Sequence, residues 1–262
     1  MSPLYDLLLN QFLVFVLVLT RISGLVMTAP VFGTRSAPMR VRSLLALGLA
    51  MVVTPMYGDV AIPFPGNIIN MLVLIGREAV LGLALGLAVM ILFAGIQLTG
   101  QTISQLAGIS LADVFDPGFD SNVSVFSQFL DLVAVAVFVC IGGHRQVLGA
   151  LLDTFQWMPP GHGTFSPDLV AALTDVTTQS FATGIRASAP VMVSLLLAVL
   201  ITGLISRTLP QLNIMAIGFN VNVLVMLFTL TLSLGAAVWV FQEEVSTASD
   251  TVRAAMMRGS DE

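Results

Sequence analysis

From Ala79 to Ala112 the chain carries no charged side chain. As one α-helix that run would measure about 50 Å, well beyond the roughly 30 Å hydrocarbon core of a bilayer. Further uncharged runs cover 7–20, 22–34, 43–58, 60–76, 132–144, 187–206 and 208–242. Such runs demand helices whose backbone polar groups are satisfied internally, so the class is an all-α, integral membrane-type protein. Only 10% of the 262 residues are charged, against roughly 25% in an ordinary soluble domain. Together with 56% hydrophobic residues, this excludes a water-soluble globule and a disordered tail. A formal net charge of −5 with no basic cluster excludes a nucleic-acid binder. All ten basic residues are Arg.

The segment lengths are uneven. Ala187 to Ser206 and Val223 to Phe241 have the length of standard crossings, whereas Leu132 to Gly143 and Leu44 to Met56 would rise only about 18–20 Å and cannot span alone. The Ala79 to Ala112 run should protrude, bend or turn back. Arg35, Arg40 and Arg42 place the loop after the first helix on the cytoplasmic side. Later loops do not alternate: 113–131 holds four acids and no Arg, and Arg145, Arg186 and Arg207 are scattered singly. Short helices, one overlong helix and weak topology signals indicate that much of the chain is surrounded by other protein rather than lipid. The N-terminal residues lack the positive region of a cleavable signal and read as a retained first helix.

Two stretches are amphipathic. From His144 to Met158, Val147, Leu148, Leu151, Leu152, Phe155 and Met158 recur at helical spacing, and Met158-Pro159-Pro160-Gly161 ends the helix. A second helix begins near Ser166-Pro167-Asp168, with Leu169, Leu173 and Val176 on its buried face. A domain boundary is therefore expected at 159–165. Cys140 is the single cysteine, and its apolar neighbours Phe138, Val139 and Ile141 predict buried packing.

No HExxH, GxSxG, Walker A or paired metal-ligand pattern occurs, so neither an enzyme nor a metal or cofactor is expected. His144 reads as a helix-end histidine bonded locally. Arg77-Glu78 is a candidate buried charge pair, because burying either charge alone is costly; the alternative is an interfacial pair at a helix entrance. Arg21, within Leu17 to Gly24, reads as an interhelix hydrogen-bonding or snorkelling arginine. Gly82 and Gly86 form a GxxxG pair that allows close helix packing. Gln97, Gln101 and Gln105, spaced by four, make a neutral polar stripe that either bonds a neighbouring helix or faces a watery conduit. A neutral lining suits a cargo of varied sequence. The loop over 108–122 contains the turn Asp116-Pro117-Gly118, yet Leu111, Val114, Phe115 and Phe119 make it apolar. Such a loop is either buried in protein or forms a constriction.

An ordered set of motifs resembles the FliR family of flagellar type III secretion export-gate proteins, whose homologous virulence-injectisome subunit is the main confusable relative. The motifs are Arg21-Ile22 with Ala29-Pro30-Val31-Phe32-Gly33, Pro38-Met39-Arg40-Val41-Arg42, and Arg77-Glu78 followed by Gly82. Asp116-Pro117, Gly142-Gly143-His144, Pro159-Pro160-Gly161 and Pro210-Gln211-Leu212-Asn213 complete it. The resemblance implies a FliP-like helical half, 1–165, and a FliQ-like helical hairpin, 166–262, turning near Arg207 to Asn213. It implies a gate for unfolded flagellar export substrates in the bacterial inner membrane, at the flagellar basal body. There the chain would join FliP and FliQ, with FlhB and FlhA upstream, and part of the assembly would stand on the periplasmic side. Carried onto this sequence, Leu111, Val114 and Phe115 form the constriction of a channel plug that continues through Asp116, Pro117, Gly118 and Phe119. Leu111 and Val114 stand where relatives often carry aromatics, and Asp113 adds a charge beside the seal. A competing class, a small-solute or ion transporter using Arg77, Glu78 and Asp131 as coupling charges, would require an inverted repeat, and no convincing one is found.

Overall fold

The computed structural model describes residues 3–30, 38–60, 62, 66–109, 125–163, 167–209, 211 and 214–260. Among these residues the regular structure is entirely helical: α1 (Pro3–Thr28), α2 (Met39–Val53) with a 3₁₀ turn (Thr54–Tyr57), α3 (Ile68–Ala107), α4 (Val125–Cys140), α5 (Gly143–Trp157), α6 (Pro167–Thr208) and α7 (Ile214–Ser260). Among the described residues five helices are long and apolar enough to cross a membrane, and α4 with α5 forms a further candidate bent by 65°. The chain is thus an all-α, multi-pass membrane-type protein.

Several lengths depart from the sequence-based expectation. Residues 39–57 form a candidate span of 19 residues, because the helix continues back through Arg40 and Arg42. Long arginine side chains tolerate this by carrying their charge away from the apolar stem. From Ala79 to Ala107 the overlong run stays within one helix and does not turn back. It belongs to the 40-residue α3, which begins before Arg77 and Glu78 and takes both into its interior. Its end is a glycine cap: Gly108 has φ 80°, its N–H donates to the Gln105 carbonyl, and the Ile109 N–H donates to the Ser104 carbonyl. Cys140 is exposed. Phe138, two residues earlier and about 200° round the helix, takes the buried position instead. Leu152 also points outward, while Val147, Leu151, Phe155 and Met158 are buried as expected.

Packing divides the chain into two compact units: Met1–Ile91 with Gly142–Thr177 and Val245–Glu262, and Leu92–Ile141 with Thr178–Glu244. In the first, α1 buries Leu13, Val14, Leu17, Val18, Ile22, Leu25 and Val26, a spacing of three and four that makes one continuous stripe. The face of α2 that is buried is Ala46, Ala50 and Val53. Asn10 fastens the segment after the 3₁₀ turn, its Nδ2 donating to the Val60 carbonyl at 2.9 Å and its Oδ1 accepting from the Ile62 N–H at 3.1 Å. Asn10→Ala should cost about 1–3 kcal/mol by leaving two backbone groups unpaired, read as a lower melting temperature of the detergent-purified protein.

In the second unit, α6 and α7 contribute an antiparallel pair registered by two side-chain bonds. Thr183 donates to Glu244 at 2.6 Å and Ser194 to Thr229 at 3.0 Å. Ile103, Ala107, Phe126, Leu130, Val191, Leu195 and Met226 form its core. Phe93 stacks edge-on to Phe138 and Phe241 at 5.5 and 6.0 Å. Outside that core the hairpin is bare: Leu197, Leu200, Leu204, Leu224, Phe228 and Leu232 are each more than half exposed.

Candidate functional site

Arg21 is 0% exposed in the middle of the α1 stripe. A guanidinium there requires partners for most of its five N–H groups. Its Nε donates to Glu78 Oε2 at 2.6 Å. One terminal nitrogen, Nη1, donates to the Thr154 carbonyl at 3.1 Å, the Thr154 hydroxyl at 3.2 Å and the Met158 carbonyl at 3.0 Å. Those two carbonyls terminate α5, where the negative end of the helix dipole favours a cation. The guanidinium carbon also lies 4.3 Å from the centre of the Phe155 ring, whose other neighbour is Tyr57 at 5.8 Å. The second terminal nitrogen, Nη2, is buried without a hydrogen bond.

The second carboxylate oxygen of Glu78 is held by the turn after α5. Pro159-Pro160-Gly161-His162 closes with the His162 N–H donating to the Pro159 carbonyl at 3.0 Å. Proline at the second position and Gly161 at φ 87° match a type II turn, in which only glycine takes the third position without strain. That turn aims the Gly161 N–H at Glu78 Oε1, 2.9 Å away. Residues far apart in sequence, Arg21, Glu78, Thr154 and Gly161, thus share one dry hydrogen-bonded cluster.

The Gly82 and Gly86 pair lies beside this cluster. A Cβ on Gly82 would collide with the Arg21 carbonyl, and one on Gly86 with the Thr28 hydroxyl; a Cβ on Gly24 would stand 2.9 Å from the Leu83 nitrogen. The α1 and α3 backbones therefore touch, and the closeness lets Arg21 reach Glu78.

Arg77 and Glu78 do not form a buried pair with each other. Glu78 is buried and Arg77 exposed, because adjacent helical residues point about 100° apart and only one can face α1. The ion pair joins Glu78 to Arg21 instead, two residues that sequence reasoning had placed in separate contexts. The signal available was that each is the lone charge on an otherwise apolar helix face. The contributions of Thr154, Phe155 and the Gly161 N–H were not anticipated. Gln97 and Gln101 are half-buried and Gln105 exposed, on the side of α3 turned away from Leu92, Ile103 and Ala107. The plug residues Leu111, Val114, Phe115, Asp116, Pro117, Gly118 and Phe119 lie outside the described residues. His144 Nδ1 is buried without a hydrogen bond, which differs from the expected local bonding. Among the described residues no three His, Cys, Asp or Glu side chains gather as metal ligands.

Residues 12–248 match the family described as bacterial export proteins, family 1. The flagellar biosynthetic protein FliR of Escherichia coli K12 is 32% identical over 212 residues, covering 79% of this chain and 78% of that protein. FliR of Bacillus subtilis is 28% identical over 250 residues, covering 94% and 95%, and that of Caulobacter vibrioides 26% over 231 residues, covering 87% and 92%. Matches of this extent, over a helical chain with this membrane-type architecture, make the protein a member of the FliR family of bacterial export proteins.

Proposed function

We infer that the chain is the FliR-type subunit of a flagellar protein-export gate and that it works as a channel component without catalysis. Membership of the family over nearly the whole chain carries this reading. The bare hairpin supports it: only 6% of the most apolar part of α7 is buried within the chain, so the remainder needs a cover of lipid or neighbouring subunits. On this reading FliP and FliQ chains provide much of that cover in the bacterial inner membrane, part of the assembly stands on the periplasmic side, and FlhB and FlhA deliver unfolded substrates. The FliP-like half is 1–165 and the FliQ-like hairpin 166–262. The neutral stripe Gln97, Gln101 and Gln105 faces the conduit, where it neither traps nor repels charged side chains of the passing chain.

Residues 108–122 act as the plug, with Leu111, Val114 and Phe115 as its apolar constriction. Such a constriction stops ions by dewetting and still yields to an extended polypeptide. Leu111→Asp, or deletion of 114–119, is expected to make the closed gate conduct ions when the assembled complex is reconstituted in a planar bilayer. Unchanged conductance overturns the plug assignment. Recovery of the chain as a stable monomer or homodimer, without FliP-like and FliQ-like chains, overturns the gate-subunit reading itself.

A further inference from the structure

The second unit contains a cavity of about 110 Å³ between α3, α4, α6 and α7, with walls that include Ile103, Leu130, Val191 and Leu230. Its few polar groups are mostly occupied: Thr99, Ser180, Ser188 and Ser233 donate to backbone carbonyls of their own unit. Glu244 differs. Its Oε2 accepts the Thr183 hydroxyl, but its Oε1 is buried and has no hydrogen bond. A carboxylate oxygen so placed is costly unless a donor, preferably a cationic one, arrives from outside the chain.

Glu244 also marks a level. On α7 no charge occurs from Ile214 to Gln242, and Glu243-Glu244 ends that run; on α6 no charge occurs between Arg186 and Arg207. The Thr183 to Glu244 bond places the two boundaries side by side. The cavity runs from this boundary into the apolar side. From Glu244 to Leu230 it follows α7 for about 21 Å, comparable to the roughly 15 Å depth of one leaflet's hydrocarbon. An occupant with a hydrogen-bonding cation at the boundary and a hydrocarbon tail below it matches both ends.

We propose that this groove binds one phospholipid with a primary-ammonium headgroup, phosphatidylethanolamine, whose ammonium donates to Glu244 Oε1 while an acyl chain lies along Ile103, Leu130, Val191 and Leu230. The adjacent carboxylates Glu243 and Glu244 disfavour a purely anionic headgroup. A choline headgroup, lacking N–H donors, leaves Oε1 unsatisfied. Because the groove lies within one unit, the lipid serves as internal packing whether the outer faces meet bilayer or partner chains.

The test is native mass spectrometry of the full-length chain in the complex extracted from its membrane, delipidated and titrated with palmitoyl-oleoyl phosphatidylethanolamine, phosphatidylglycerol or phosphatidylcholine. Phosphatidylethanolamine should be retained about tenfold more than either other lipid, and Glu244→Gln should remove that preference, as expected for loss of one charge-assisted hydrogen bond. Ala237→Trp, which fills the groove and leaves Glu244 intact, should abolish retention of all three. Equal retention of the three lipids, or an unchanged preference in both variants, overturns the proposal. Carbodiimide coupling of Glu244 to a lysine of a partner chain in the intact complex also overturns it, by showing that a protein side chain fills the site.

Discussion

Arg21→Ala is expected to prevent the chain from accumulating in the membrane and so to abolish motility. Alanine removes the charge that pairs with the buried Glu78, and truncating one member of such a pair costs about 3–5 kcal/mol. That is a large share of the roughly 5–15 kcal/mol that holds a typical domain folded. The loss extends beyond the charge, because at the end of α5 the Met158 carbonyl loses its donor and the Thr154 carbonyl keeps the Met158 N–H alone. Arg21→Lys should rescue only in part: an ammonium is a point charge and cannot reach Glu78 and both carbonyls as a planar fork does. The double substitution Arg21→Met with Glu78→Leu removes both charges and should recover more than either single change. It should still fall short of the native protein, since the Gly161 N–H and the Met158 carbonyl stay unpaired at about 1–3 kcal/mol each. Immunoblots of membrane fractions and melting of the purified protein measure the series. Native-level accumulation and melting of Arg21→Ala would show that the cluster does not hold the first unit together.

Gly82→Ala and Gly76→Ala are expected to change stability in opposite directions, although both exchange the same residues in the same helix. At Gly82 the added methyl meets the Arg21 carbonyl, with the Arg21 carbonyl carbon 2.9 Å away, so α1 must move off α3. Overpacking of this kind costs about 1–3 kcal/mol, and a leucine at the same place should stop assembly of the first unit. At Gly76 an added methyl meets nothing within 4 Å. The higher helix propensity of alanine should there stabilise by up to about 1 kcal/mol. Because Gly82 touches the backbone of Arg21, its effect should not add to that of Arg21→Ala: the double mutant should lose less than the sum of the two. Thermal unfolding of the native protein and these variants gives the comparison directly, and equal effects at Gly76 and Gly82 would contradict the close approach of α1 and α3.

Much of the architecture was legible because it rests on local chemistry. The Pro159-Pro160-Gly161 stop to α5, the start of α6 at Pro167 and the close-packing surface of Gly82 and Gly86 each follow from what proline permits and glycine leaves empty. The boundaries of α2 and α3 were not legible from charge spacing, because arginine and glutamate can continue a helix when a partner or the helix end receives them. Arg40 and Arg42 stand in the first turn of α2, where a long side chain can carry its charge away from the apolar stem, and Glu78 continues α3 by facing Arg21. The exposed Cys140 and Leu152 show the limit of reading burial from apolar neighbours in sequence. The helix rotates by about 100° per residue, so the nearest neighbours in the chain face elsewhere.

The sequence alone determined the class of the molecule. Uncharged runs of this length can satisfy their backbone groups only as helices, and the order of the motifs places those helices in one family. The partner of Glu78 was decided by the tertiary structure. Arg77 is adjacent in the chain and Arg21 is 57 residues away, yet the selection depends on how α3 is rotated and how closely α1 approaches it. Hydrophobic periodicity specifies a buried face only to within a stripe. The choice between two neighbouring charges came from backbone contact at Gly82 and from the α5 turn that aims Gly161 at the same carboxylate.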